Sequence, residues 1–371
     1  MLFLASEGLQ FLNQFSKHKF QIVGVLGFLT LTYLAAVSDP IHNLDYQTYQ
    51  AYYGTIPMQP VRQWHFEKGY SSLGVLFFHI GLSYQAFRWF LCLMTMVVMY
   101  IGVRRFTTRA DLFAGIYGAT VFLLDATQLR NFIMIAFVVL AMSFLQEVNW
   151  RNLLLAVMLI LISAQFHSLG YLFLLVIFLR CLPFEWLYSY GLWFVGIVVS
   201  LILVISAVGV HAILDILAKF TSLVSSRSNL TSKVSSQYGD GSVLIRYVAV
   251  AVSTIAMFLL IWFLCKVIKT TADKKLMVKY QLLYVISLMA IIMLPTLSLA
   301  DDYSRIPRSI FLFVIIAISL YYEHAGAVRL NKMRSLVTFL IVLVCAMNGF
   351  SHLYMWGTAF RGSLPYLIHL G

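Results

Sequence analysis

Charged residues are scarce in this chain: 11% of its 371 residues are Asp, Glu, Lys or Arg, against about 25% in ordinary soluble domains. Proline appears only 7 times, so few apolar runs are interrupted. The four cysteines, Cys92, Cys181, Cys265 and Cys345, show no CxxC spacing and imply neither a zinc site nor a disulfide framework. No Walker loop, GxSxG or HExxH is present, which leaves an energised pump or a membrane metalloprotease without support. Met1–Lys19 carries Lys17 and Lys19 against the first apolar run, an order that predicts no cleavable signal peptide.

What the chain has instead is apolar length. It is 61% hydrophobic, with a mean hydropathy of +0.87. That composition predicts an all-α polytopic membrane protein, with residues 1–371 forming a single integral membrane domain. The net charge of +12 does not point to nucleic acid, because the basic residues punctuate the apolar runs. The runs read as about eleven transmembrane spans: 20–38, 86–103, 112–125, 131–145, 152–165, 168–181, 191–209, 243–265, 280–298, 306–322 and 336–350. With the amino terminus inside and the carboxyl terminus outside, every dense basic cluster becomes cytoplasmic. These are Lys17/Lys19, Arg104/Arg105/Arg109, Lys266–Lys279 and Arg329/Lys332/Arg334. Gly69–Tyr84 is apolar enough to span, but counting it would carry Arg104, Arg105 and Arg109 outside. It holds Ser71, Ser72, His79, Gly81 and Ser83 in about 15 residues, and is expected to be a re-entrant or interfacial helix.

The segment Leu129–Tyr171 reads as a membrane hairpin. It opens at Arg130, turns through Gln146–Arg151, and ends at Gln165, Phe166 and His167, which returns Arg130 and His167 to one face. Each arm covers about 22 Å, short of a hydrocarbon core of about 30 Å. Either the two side chains snorkel to headgroups, or they sit below the surface inside the protein. An ionisable residue held at that depth marks a functional site.

This topology gathers the unusual chemistry outside. The loop 39–70 holds Asp45-Tyr46, Tyr49, Tyr52, Tyr53 and Glu67-Lys68-Gly69-Tyr70. The tyrosines suit an interfacial aromatic belt or stacking on sugar rings, while Asp45 has no place in a belt. Glu67 opens a helix and suits its dipole, or it serves the site. Arg130, Arg305 and Arg308, with Lys68 near, are cations at span ends. Arginine's planar fork matches phosphate oxygens, although headgroups or Asp125, Asp301 and Asp302 are also partners for it. Asp301 and Asp302 are adjacent, with no DxD spacing and no histidine ligand, so no metal and no cofactor is expected. A second outer loop, 210–242, begins amphipathic and continues Ser-rich.

These residues resemble the EpsG/Wzy-type bacterial polysaccharide polymerases. The resemblance rests on Asp45-Tyr46, Glu67-Lys68-Gly69-Tyr70, Arg130 with Ala136, Phe166-His167-Ser168 and Asp302-Tyr303-Ser304-Arg305, in that order. Asn131 and Ser168 depart from the Gln and basic residue often found there. The resemblance implies a membrane C-type glycosyltransferase of the bacterial cytoplasmic (inner) membrane, with an extracytoplasmic active site. Its substrates would be undecaprenyl-diphosphate-linked oligosaccharides, and its product capsule, O-antigen or exopolysaccharide. A chain-length regulator and a flippase are the protein partners it implies. Asp45 or His167 would act as base, with Glu67 behind them. Arg130, Arg305 and Arg308 would hold the departing diphosphate, and Lys68, Tyr46 and Asp302 would line the substrate site. The alternatives are an O-antigen ligase-like lipid-linked sugar transferase, a sugar O-acyltransferase, and a polysaccharide flippase or transporter. A transporter would favour internal repeats and mid-membrane charges, and no repeat relates the two halves.

Overall fold

In lipid every backbone N–H and C=O must be paired, and a helix pairs them within its own run. The long Leu, Ile, Val and Phe stretches fold accordingly. The computed structural model describes residues 2–15, 20–38, 40–41, 43, 45–208, 242–270, 273–298, 301–324 and 333–368, and among these no strand occurs. The first helices are α1 (Leu2–Phe15), α2 (Gln21–Ala36), α3 (Tyr46–Thr55), α4 (Lys68–His79), α5 (Tyr84–Phe106), α6 (Ala110–Ala119) and α7 (Phe122–Thr127). Then come α8 (Leu129–Phe144), α9 (Trp150–Ala164), a 3-10 turn (Ser168–Phe173), α10 (Leu174–Arg180) and α11 (Phe184–Val208). The last four are α12 (Ser242–Lys269), α13 (Lys274–Met293), α14 (Arg305–His324) and α15 (Arg334–Ile368). Of the expected outer loop 210–242, all but Ser242 lies outside the described residues.

Six of the described helices, α5 and α11 to α15, are long and apolar enough to cross a membrane. Shorter apolar helices cover Gln21–Ala36, Leu129–Phe144, Trp150–Ala164 and Ser168–Arg180. The chain is a polytopic helical membrane protein. The expected span 112–125 is not one continuous helix. The backbone leaves the helical range at Thr120, with φ of −116° and ψ of −82°, and the run divides into α6 and α7. Gly69–Tyr84 gives the short α4, about 18 Å long, which turns at Gly81 into α5. Gly81 has φ of +77°, a conformation that a side chain would strain. Ser83 then caps α5, its Oγ accepting from the Ala86 amide at 3.2 Å.

Helix α14 forms the centre, with 89% of its apolar window buried. Its apolar residues cover its whole circumference, so it packs on α5, α6, α8, α12 and α13 without a lipid-facing stripe. One end of the bundle is tied by polar contacts. Arg105 donates to Ser143 Oγ at 2.8 Å, Lys279 to the Phe106 carbonyl at 2.6 Å, and Glu323 accepts from the Thr107 hydroxyl at 2.6 Å and the Thr108 amide at 3.0 Å. These contacts bring together the carboxyl-terminal ends of α5, α8 and α14 and the start of α13. The basic residues at 104–109 and 274–279 therefore share one end. The starts of α5, α8 and α14 share the other, and the site lies there.

Candidate active site

At that second end, α3, α4 and the residues between them form a cap of rings. Tyr49, Tyr52, Tyr53 and Tyr70 are all buried, and Phe66 packs among them. The Tyr52 and Phe66 centroids lie 4.2 Å apart, those of Tyr53 and Phe87 5.2 Å apart. Each such pair contributes about 0.5–1.5 kcal/mol beyond area burial. The tyrosines are thus neither an exposed belt nor a row of free stacking faces; they are the core of the cap. The amides of Gly69 and Tyr70 both donate to the Gln165 carbonyl, at 2.9 and 3.3 Å, and pin the start of α4 to the end of α9. A Cβ on Gly69 would stand 2.8 Å from that oxygen, so only glycine permits the approach.

Beneath the cap is a cavity of about 450 Å³ lined by Asp45, Thr48, Tyr49, His65, Phe66, Glu67, Arg130, His167, Ser168 and Arg305. Its wall is made almost entirely of helix beginnings. Asp45 precedes α3, and Thr48 and Tyr49 lie in that helix's first turn. Glu67 precedes α4; Arg130 and Arg305 open α8 and α14; His167 precedes the 3-10 turn. The starts of α8 and α14, each carrying an arginine, therefore meet the carboxylates of Asp45 and Glu67 at one polar cavity, and the two guanidinium groups are its features that suit an anion.

Arg130 is held from two sides. It pairs with Glu67, and its guanidinium stacks 3.9 Å from the Phe66 centroid and 6.0 Å from that of Tyr49. Burial pushes the Tyr49 hydroxyl pKa up, against the pull of Arg130. Glu67 bridges the site, since its Oε1 also accepts from the Ser168 amide at 3.1 Å. His167, 8% exposed, has Nε2 2.9 Å from Arg305 Nη1.

Asp45, Glu67, Arg130, His167 and Arg305 are thus brought together, and three other expected site residues are not. The Tyr46 side chain is buried away from the cavity, donating to Gln85 Oε1 at 2.8 Å under the Arg88 guanidinium. Lys68 is exposed beyond the rim. Arg308 is fully buried, paired with Asp125 at 2.9 Å and bonded to Gln128 Oε1. Asp125 also accepts from Tyr117 at 3.0 Å and Asn131 at 3.5 Å. Three residues on from Arg305, Arg308 lies one turn deeper and supports the cavity floor instead of facing it. The Asp302 side chain lies outside the described residues. Among the described residues no three His, Cys, Asp or Glu side chains converge as a metal site would require.

Sequence reasoning missed Arg88. It is completely buried, and donates to the Ala35 carbonyl at 2.7 Å and the Ala126 carbonyl at 3.0 Å, in the last turns of α2 and α7. A cation there suits both helix ends and holds them beneath α3. The signal was an arginine inside an apolar run, which by cost alone implies a task.

No curated protein and no solved structure matches the chain. The EpsG family model matches residues 21–367, which include every residue of the cavity, and the chain belongs to the EpsG family of polysaccharide-polymerase-type membrane proteins.

Proposed function

We propose that the chain is a metal-independent glycosyltransferase of the Wzy-like polymerase type, joining undecaprenyl-diphosphate-linked oligosaccharide repeat units at the extracytoplasmic face of the bacterial inner membrane. The observation that carries this reading is the cavity ringed by helix beginnings, with Arg130 and Arg305 facing into it beside carboxylate and imidazole. Preorganised guanidinium donors stabilise the charge that grows on a departing diphosphate. Asp45 or His167, with Glu67 behind them, takes the proton of an acceptor hydroxyl, and all three line the same cavity. About 450 Å³ accommodates a diphosphate with a sugar, while the polyprenyl tail stays in lipid.

On this reading the acceptor is the non-reducing end of a lipid-linked repeat unit, and the donor is the growing chain on its own carrier lipid. One membrane domain performs the work, with the amino terminus in the cytoplasm and the basic end of the bundle facing it. A chain-length regulator and a flippase would act beside it. Incubating the purified chain with lipid-linked repeat units tests this directly. A ladder of products spaced by one repeat supports it. Units carried across the bilayer without being joined would favour a transporter instead.

A further inference from the structure

Both ring nitrogens of His167 face hydrogen-bond donors. Nδ1 lies 3.3 Å from the Leu169 amide, and Nε2 lies 2.9 Å from Arg305 Nη1. A neutral imidazole has one lone pair in the ring plane, so it can accept only one of these. The Arg305 contact is shorter and charge-assisted, and should win the lone pair. Nε2 is then the acceptor and Nδ1 carries the proton, at the expense of the longer Leu169 contact. An imidazole whose reactive nitrogen is covered by an arginine cannot serve as a base until the arginine leaves.

Resting on the glycosyl-transfer reading above, we propose that Arg305 clasps the Nε2 lone pair of His167 until a diphosphate draws the guanidinium away, and that the freed Nε2 then takes the proton of the acceptor hydroxyl. The hydroxyl oxygen bonds to C1 of the donor sugar while the bond from C1 to the diphosphate oxygen breaks. The electron pair of that bond leaves with the diphosphate. The hydroxyl proton ends on Nε2 and passes afterwards to water, restoring the neutral ring.

The surroundings of His167 fit such a gate. Arg305 faces it from α14 and Arg130 from α8; Glu67, Asp45 and His65 line the same cavity, and Arg308 lies one turn below Arg305. Burial, then Arg305, Arg130 and Arg308 in turn, push the His167 pKa down to about 3, so the ring is neutral at any physiological pH. An anion that neutralises Arg305 removes the largest of those charges and raises the basicity of the ring at the moment the base is needed.

The test uses the full-length chain, labelled with ¹⁵N-histidine in nanodiscs, with H167N identifying the signal among the nine histidines. At pH 7 the resting His167 should be neutral, unprotonated at Nε2, and shifted by its arginine contact. Inorganic pyrophosphate, its binding followed by ³¹P line broadening, should move Nε2 to the position of an uncovered lone pair. R305Q should give that position without pyrophosphate. It should also move the acid limb of the pH profile of polymer formation upward, while burial, Arg130 and Arg308 still hold it below the ordinary histidine range. Pyrophosphate bound with the Nε2 signal unmoved, or a resting ring protonated at Nε2, overturns the clasp alone. Pyrophosphate that fails to bind overturns the anion reading of the cavity, and the release step with it.

Discussion

Glu67 and Arg130 form an ion pair across the candidate active site, joining the residue before α4 to the first turn of α8. Because Glu67 also accepts from the Ser168 amide, one carboxylate fixes the cap, the α8 start and the His167 segment relative to one another. Glu67→Gln keeps the shape but loses the charge and one of the two acceptor oxygens. Charge-assisted bonds of this kind contribute about 1.5–3 kcal/mol, so polymer formation should fall about 10- to 100-fold with the protein still inserted. Initial rates of polymer formation check it, and an unchanged rate would show that the Glu67 charge is not needed to position the site.

Gly69 stands where the cap meets α9. Gly69→Ala places a Cβ against the Gln165 backbone, whereas at Gly54 nothing lies within 4 Å of the added atom. Gly69→Ala should destabilise by about 1–3 kcal/mol and reduce activity, while Gly54→Ala should be neutral or slightly stabilising. Thermal unfolding of the two variants side by side decides this. Equal melting temperatures would mean that α4 relaxes without cost.

The Asp125–Arg308 pair is buried beneath the cavity, with each side chain only 1% exposed. Removing one partner leaves a buried charge, so Asp125→Ala should cost about 3–5 kcal/mol. Replacing both, as Asp125→Leu with Arg308→Met, should recover most of that stability. Denaturant unfolding of the three proteins measures it. A double variant no better than the single one would show that the network of Tyr117, Gln128 and Asn131 depends on the charges themselves.

Activity should survive chelation. Arg130 and Arg305 supply the positive charge at the cavity, and no metal-ligand cluster is found among the described residues. The check is polymer formation in EDTA. Loss of product, restored by a divalent ion and not by monovalent salt, would contradict the guanidinium assignment.

Much of this is legible in the sequence. Scarce charge and long apolar runs gave the helical membrane class, and the hairpin from Leu129 to Tyr171 placed Arg130 and His167 on one face, where both line the cavity. What sequence could not give was depth. Arg305 and Arg308 look alike as cations near a span end, yet a step of one helical turn buries Arg308 on Asp125. Tyr46 and Asp45 are neighbours in the chain, but the turn into α3 leaves Asp45 at the cavity and sends Tyr46 into the core. The break at Thr120, where the backbone leaves the helical range, carries no signature in hydropathy. Arg88 was visible as a charge inside an apolar run, and its partners are backbone carbonyls of two other helices, which carry no sequence signature.

In the proposed reaction Arg130, at the start of α8, holds the leaving diphosphate with its planar fork. Lysine keeps the charge but cannot match both oxygens, nor stack on Phe66 as the guanidinium does. The decisive measurement is the rate of ladder formation from lipid-linked repeat units by purified wild type, Arg130→Lys and Arg130→Ala. Arg151→Ala, exposed at the far end of the α8–α9 hairpin, serves as control. Wild type and control should give a full ladder, and both Arg130 variants should lose about 10²- to 10³-fold. A normally inserted Arg130→Lys protein that polymerises at close to the wild-type rate would contradict it, and would make Arg130 an anchor for the cap.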